Sequence, residues 1–336
     1  MVVSRLSSCL ATLFIVCGFD GAVSVMEAAP AVSTTEPQAV AAGQQIDVRL
    51  RGSDLAGASQ LWTQFGAAAQ LSPDVKDNGT NAADVTWRLN VPADVPVGIH
   101  GLRVAGPNGV SSLKLIMVDD LPSVAAAAGN TTIDKAQEIA PSVAVDGAVA
   151  NLSRNYYRVK VAAGQKLSFE VVARRLGSAL DPLLRILDAR GRELTYSDDE
   201  PGLRGDARLH YTFADAGDYV VEVRDIRYQG GAGHFYRLRV GDFPCLSSPY
   251  PMGVTRGSVA KVSFVGSDVD GVGQAEVRAP SDPKIEWVNV AARRAGGRSS
   301  GFAMLRIEDS SVTVEAEPNN EPAKATRVEL GASVNG

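Results

Sequence analysis

The sequence is poor in the residues that carry most enzyme chemistry. Of 336 residues only three are histidine and three are cysteine. That scarcity excludes zinc ribbons and histidine-rich metal sites, which need several such ligands at close spacing. No P-loop, HExxH or dinucleotide-binding glycine pattern is present. Basic blocks are also missing. The 33 Lys and Arg and the 38 Asp and Glu are mixed along the chain, for a net charge of −5. A nucleic-acid partner is therefore not expected. Apart from residues 6–19 there is no long apolar run, and that one is shorter than the roughly 20 residues a membrane-spanning helix needs.

Residues 1–29 read as a secretory signal peptide. Arg5 supplies the positive start, residues 6–19 the apolar stretch, and Ala22-Val23-Ser24 or Ala28 and Ala29 the small residues at the cut. Cleavage is expected between Ser24 and Ala29. It leaves no integral membrane segment and places the chain outside the cytoplasm: secreted, periplasmic or on the cell surface. Cys9 and Cys17 leave with the signal, so Cys245 has no partner for an internal disulfide. It sits in a Pro/Ser-rich stretch with no accompanying His or Asn pattern, which argues against a catalytic nucleophile. Gly297-Arg298-Ser299-Ser300-Gly301 matches G-x-S-x-G but lacks the strand–elbow–helix context, and the last histidine, His234, precedes it. Asp268 and Asp270 with Gly271 imitate a calcium loop. No Glu follows at the right spacing, and the repeat described below replaces Asp270 with Ala56.

What is abundant is turn chemistry: 33 Gly and 17 Pro punctuate a globular composition of 45% hydrophobic and 21% charged residues. Between the turns, apolar residues alternate. Ile46, Val48 and Leu50 alternate with Asp47 and Arg49. Leu167, Phe169 and Val171 alternate with Ser168 and Glu170. Tyr236, Leu238 and Val240 alternate with Arg237 and Arg239. Period two predicts antiparallel strands with one face on a core and one in water. One short helical turn is expected within 132–139. The fold class is all-β: tandem β-sandwiches, Ig-like and jelly-roll.

Two internal repeats organise the chain. Residues 43–60 recur without a gap at 257–274, with Gly43/Gly257, Gly52/Gly266, Asp54/Asp268 and Gly57/Gly271 identical. Residues 130–147 recur at 319–336, with Asn130/Asn319, Lys135/Lys324, Val145/Val334 and Gly147/Gly336 identical. All eight tyrosines fall between Tyr156 and Tyr250, while Trp62, Trp87 and Trp287 lie outside that window. The expected units are 30–120, 130–243 and 251–315, joined by linkers at 125–129 and 244–251. Residues 316–336 are expected to be the truncated start of a fourth unit, in a fragment of a larger protein.

The first unit resembles IPT/TIG-type immunoglobulin-like domains. The resemblance rests on Gly43, strand 46–50, Gly52-Ser53-Asp54-Leu55, Pro96-Val97-Gly98 and the turn Asn108-Gly109. Residues 251–315 follow as a second Ig-like unit. The second unit resembles the bacterial pre-peptidase C-terminal domain, a jelly-roll sandwich. It does so through Asn130, Lys135-Ala136, Asp146-Gly147, Asp181-Pro182, Asp188 to Gly191, Asp198-Asp199 and Ala216-Gly217-Asp218-Tyr219. Glu317-Pro318-Asn319-Asn320 is similar to that family's opening. The resemblance implies an exported protein, with such domains standing beside secreted peptidases.

Asp181, Asp198 and Asp199 are candidate calcium ligands in loop positions, with solvated turn carboxylates as the alternative. Tyr219 is expected to form a tyrosine corner with the turn at Asp215. Tyr156, Tyr196 and Tyr228 are out of phase with the core and are the expected surface tyrosines. No catalytic constellation emerges. The expected function is non-catalytic binding or spacing, with an extracellular polymer or protein as partner. The alternative is the accessory region of a secreted peptidase or other hydrolase, possessing a serine-type catalytic domain beyond residue 336.

Overall fold

The computed structural model describes residues 28–336. The expected cleavable stretch, with Cys9 and Cys17, lies outside the described residues except for Ala28 and Ala29. Among the described residues helix is confined to three 3-10 turns, Ile133–Lys135, Arg174–Leu176 and Pro322–Lys324. The rest is strand and turn, as the alternation requires.

The first sandwich contains β1 (Ala31–Glu36), β2 (Ala39–Val40), β3 (Gln45–Ser53), β4 (Gln60–Thr63), β5 (Ala68–Leu71), β6 (Asp84–Asn90), β7 (Gly98–Gly106), β8 (Gly109–Val110) and β9 (Lys114–Val118). Its sheets run β1-β3-β6-β5 and β2-β9-β7-β4. Val48, Leu50, Trp87 and Leu89 meet Leu102, Val104 and Ile116 in the core.

The second sandwich contains β10 (Ser123–Ala125), β11 (Gln137–Ile139), β12 (Val143–Ala148), β13 (Asn155–Val161), β14 (Lys166–Val172), β15 (Pro182–Leu187), β16 (Glu193–Ser197), β17 (Arg208–Thr212), β18 (Gly217–Asp225) and β19 (Phe235–Gly241). Two five-stranded sheets, β10-β12-β19-β14-β17 and β11-β13-β18-β15-β16, enclose Tyr157, Phe169, Phe213, Tyr236 and Leu238.

The third sandwich is smaller. β20 (Cys245–Tyr250), β22 (Val259–Asp268) and β23 (Ala275–Arg278) form one sheet. β21 (Gly253–Thr255), β25 (Gly301–Glu308) and β24 (Trp287–Ala292) form the other. Finally β26 (Val312–Val314) pairs in parallel with β27 (Ser333–Asn335).

Two expectations fail here. Residues 244–251 are not a free linker: β20 occupies them, pairs with β22, and buries Cys245, whose thiol donates to Ser168 Oγ at 3.5 Å. The second failure is that the polar face of β14 and β19, in the middle of one sheet of the second sandwich, is not in water. Ser168, Glu170, Arg237 and Arg239 are in the polar phase yet buried. The neighbouring sandwiches cover them. Val97 and Met117 from the first, Val172 and Phe235 from the second, and Phe302 from the third share an apolar cluster.

The repeats are visible as structure. β1 meets β3, and β20 meets β22, with a register irregularity beside Gly52 and Gly266 respectively. A Cβ on Gly52 would overlap the carbonyl oxygen of Ala31, and one on Gly266 that of Cys245. The same close approach therefore accounts for the same glycine. The parallel pair β26–β27 likewise reproduces the register of β10–β12: Val312 faces Ser333 as Ser123 faces Ala144.

Candidate functional site

The polar face of β19 and β14 meets its neighbours through a buried ionic lattice. Arg237 Nε donates to Asp119 Oδ2 at 2.8 Å, and its Nη1 to Asp146 Oδ1 at 2.7 Å. Arg239 Nη1 donates to Glu170 Oε2 at 2.8 Å, its Nε to Asp119 at 3.2 Å, and its Nη2 to the Ser300 carbonyl at 2.6 Å. Arg175 joins Glu170 to Asp206, at 2.7 Å each. One lattice thus touches all three sandwiches. Burial by itself would raise the Glu170 carboxyl, but Arg175, Arg239 and Arg208 outweigh it and hold it at about 2. Asp119 is lowered in the same way: Arg239 and Arg237 overcome the effect of burial. Asp146 goes the other way, raised because its burial outweighs Arg237. These carboxylates are engaged by guanidinium groups, so the lattice fixes geometry and offers no free nucleophile.

Beside the lattice, where the three sandwiches meet, lies a cleft of about 400 Å³. Ile99 and Leu115 come from the first sandwich, Arg175 and Arg204 from the second, and Trp287, Phe302 and Met304 from the third. Trp287 and Met304 remain 39% and 42% exposed. The Arg306 guanidinium lies 5.5 Å from the Trp287 ring, and that of Arg175 lies 5.2 Å from the Phe302 ring. Two amides also reach the wall. Asn289 Nδ2 donates to the Ile99 carbonyl at 2.9 Å, while its Oδ1 is buried with no hydrogen-bond partner. Gln64 Oε1 accepts from Gly101 N at 2.9 Å, which leaves the amide nitrogen as a donor. No Asp or Glu lines the cleft.

The carboxylates singled out from sequence lie elsewhere. Asp181 pairs with Arg174 at 3.0 Å, and its backbone N–H donates to Asp225. Asp198 Oδ1 accepts from Asp199 N at 3.0 Å, and both border a shallow groove with Tyr196 and His210. Among the described residues no three His, Cys, Asp or Glu side chains gather in a metal-holding group. Of the three out-of-phase tyrosines, Tyr196 is exposed and Tyr228 is half-buried beside Arg224. Tyr156 is buried, because the turn at Ile133 and Ala136 covers that face together with Leu187 and Val220. The Tyr219 hydroxyl donates to the Asp215 carbonyl at 3.1 Å, the expected corner. Ser299 is buried and its hydroxyl donates to the Asp242 carbonyl. His100 lies on β7, His210 on β17 and His234 just before β19. The cleft itself was missed. Its one sequence signal is Trp287, a tryptophan outside the tyrosine-rich window and at the start of a strand.

No family model matches the chain, and no curated protein matches it. Solved structures similar to parts of it include the pre-peptidase C-terminal domain of a Bacillus anthracis collagenase. That match has 16% identity, covers 31% of this chain and 93% of that one, and has a TM-score of 0.25. PliG of Aeromonas hydrophila, a periplasmic inhibitor of g-type lysozyme, matches at 15% identity over 35% of this chain and 92% of its own, with a TM-score of 0.24. A Bacteroides ovatus SGBP-B, solved with a mixed-linkage heptasaccharide, matches at 10% identity over 58% and 74%, with a TM-score of 0.23. Among the described residues no helix is long and apolar enough to cross a membrane.

Proposed function

We propose that the chain is a non-catalytic binding and spacing array of an exported bacterial protein. In this reading the units at 30–120 and 251–315 are Ig-like, the first of IPT/TIG type. The unit at 130–243 is of the pre-peptidase C-terminal type, and 316–336 begins another. The observation that carries the reading is the buried lattice around Asp119, Glu170, Arg237 and Arg239. Flexible connectors are the default between modules. A shared charged core instead holds three sandwiches, and the cleft between them, in fixed relation. Fixed relation is what a docking or spacing element needs, and a row of independent modules does not provide it. The second reading, an accessory region beside a hydrolase, is supported by the sequence resemblance of 130–243 to peptidase-associated domains.

The test is retention of the purified chain on insoluble polysaccharides, casein and collagen, with and without calcium, alongside assays for turnover. Retention without turnover is the expected result. Turnover that Asp198→Asn abolishes, with the fold intact, would overturn the non-catalytic reading. N-terminal sequencing of protein from the periplasm or medium should find a start between residues 24 and 29, whereas an intact Met1 on a cytosolic pool would refute export.

A further inference from the structure

We infer that the cleft at the three-sandwich junction takes a peptide presenting a bulky apolar side chain beside a carboxylate. This deepens the array reading and rests on it. Three features point the same way.

The first is the apolar floor. Ile99, Leu115, Phe302 and Met304 come together from two sandwiches. Sugar rings favour broad aromatic platforms ringed by hydrogen-bonding groups. Here the one well-exposed aromatic is Trp287, already attended by Arg306. Aliphatic and thioether walls suit an aliphatic or aromatic side chain better.

The second is charge. In a chain with more acidic than basic residues, this wall has two arginines and no carboxylate. Arg175 is already neutralised by Glu170 and Asp206. Arg204 makes no ion pair or side-chain hydrogen bond among the described residues, so it is the group left to receive an anion. A guanidinium binds a carboxylate through paired, charge-assisted hydrogen bonds.

The third is an amide on the wall. Gln64 accepts from Gly101 N through Oε1 and keeps its amide nitrogen as a spare donor, which suits a peptide carbonyl. Asn289 plays a different part: its Nδ2 donates to the Ile99 carbonyl and its buried Oδ1 packs against Gly98, which joins the third sandwich to the first beneath the cleft. A volume of about 400 Å³ is ligand-sized and admits a short stretch of chain.

The carboxylate has two sources, a chain terminus or an acidic side chain, and the experiment separates them. Fluorescent peptides are titrated into the full chain and read by anisotropy. The three probes are acetyl Gly-Gly-Leu-Phe with a free C-terminus, the same peptide as its C-terminal amide, and an amidated Gly-Phe-Asp-Gly. Trigalacturonate is the acidic-sugar competitor. Binding of a carboxylate-bearing peptide is expected, with whichever of the two binds tighter naming the source. Arg204→Gln and Trp287→Ala should each weaken it roughly tenfold while circular dichroism stays unchanged. Peptide binding that both variants leave intact overturns the assignment. So does the absence of any peptide binding, and so does Arg204-dependent binding of trigalacturonate alone. In each of those cases retention on polymers would leave the array reading standing. Cleavage of a probe peptide would sink the array reading instead.

Discussion

Arg237 and Asp119, 118 positions apart, form a 2.8 Å hydrogen-bonded ion pair with both side chains wholly excluded from water. The pair ties β19 at the centre of the second sandwich to the segment that leaves β9 of the first. Two buried charges are expensive to desolvate, and the cost is offset only because each finds more than one partner. Arg237 also reaches Asp146, Ser123 and the Leu121 carbonyl, while Asp119 also receives Arg239.

Removing the shared anion should therefore be costly. Asp119→Asn leaves Arg237 and Arg239 short of a charge in a dry interface and is expected to destabilise the chain by about 3–5 kcal/mol. Urea unfolding measures it. The half-exposed pair Arg49–Asp84 is the contrast, and Asp84→Asn should cost less than about 1 kcal/mol. Equal losses in the two variants would show that the sandwiches do not depend on the lattice.

Glu170 predicts a pH dependence. Its carboxyl is held at about 2 against an ordinary 4.5. Folding thus favours the ionised form. The contribution is whole above about pH 4.5 and drains away as pH falls toward 2. Glu170→Gln cannot titrate there. The stability gap between wild type and Glu170→Gln should be constant from neutral pH down to about pH 5 and shrink below it. A gap that widens on acidification would contradict the assignment.

The two repeated glycines make a paired prediction. Gly52→Ala and Gly266→Ala each drive a methyl group into a backbone carbonyl across the bulge. Each should cost about 1–3 kcal/mol or more. Gly273, with nothing within reach of an added Cβ, is the control, and Gly273→Ala should be near neutral in thermal denaturation.

Tyr219→Phe removes only the hydroxyl that donates to Asp215. A loss of about 1 kcal/mol is expected, read as a lower melting temperature. No change would mean that the corner contributes nothing beyond its ring.

The interior of each sandwich was legible because alternation reports what one strand does. Tyr236, Leu238 and Val240 read as core residues and are core residues. Alternation cannot report what covers the opposite face. Arg237 and Arg239 carry the pattern of a solvated face, and only the arrival of two other sandwiches makes them interior. The same blindness hid the cleft, whose walls come from residues as far apart as Gln64 and Met304. The stretch around Cys245 failed for a local reason. Pro and Ser usually mark connectors, yet an edge strand tolerates both, and β20 is at the edge of its sheet. Tyr156 was misplaced because a 3-10 turn, which has no strand periodicity, closes over it.

The join between the first and second sandwiches has a second instance. Gln38 N donates to Asp146 Oδ2, and Met252 N donates to Asn335 Oδ1. Met252 stands to Gly257 as Gln38 stands to Gly43, and Asn335 precedes Gly336 as Asp146 precedes Gly147. One clasp is therefore written twice, at equivalent points of the two repeats. The same backbone N–H and the same side-chain position are used at both joins, so each join is keyed by a single polar side chain, and the key differs in charge: a carboxylate at Asp146 and a neutral amide at Asn335.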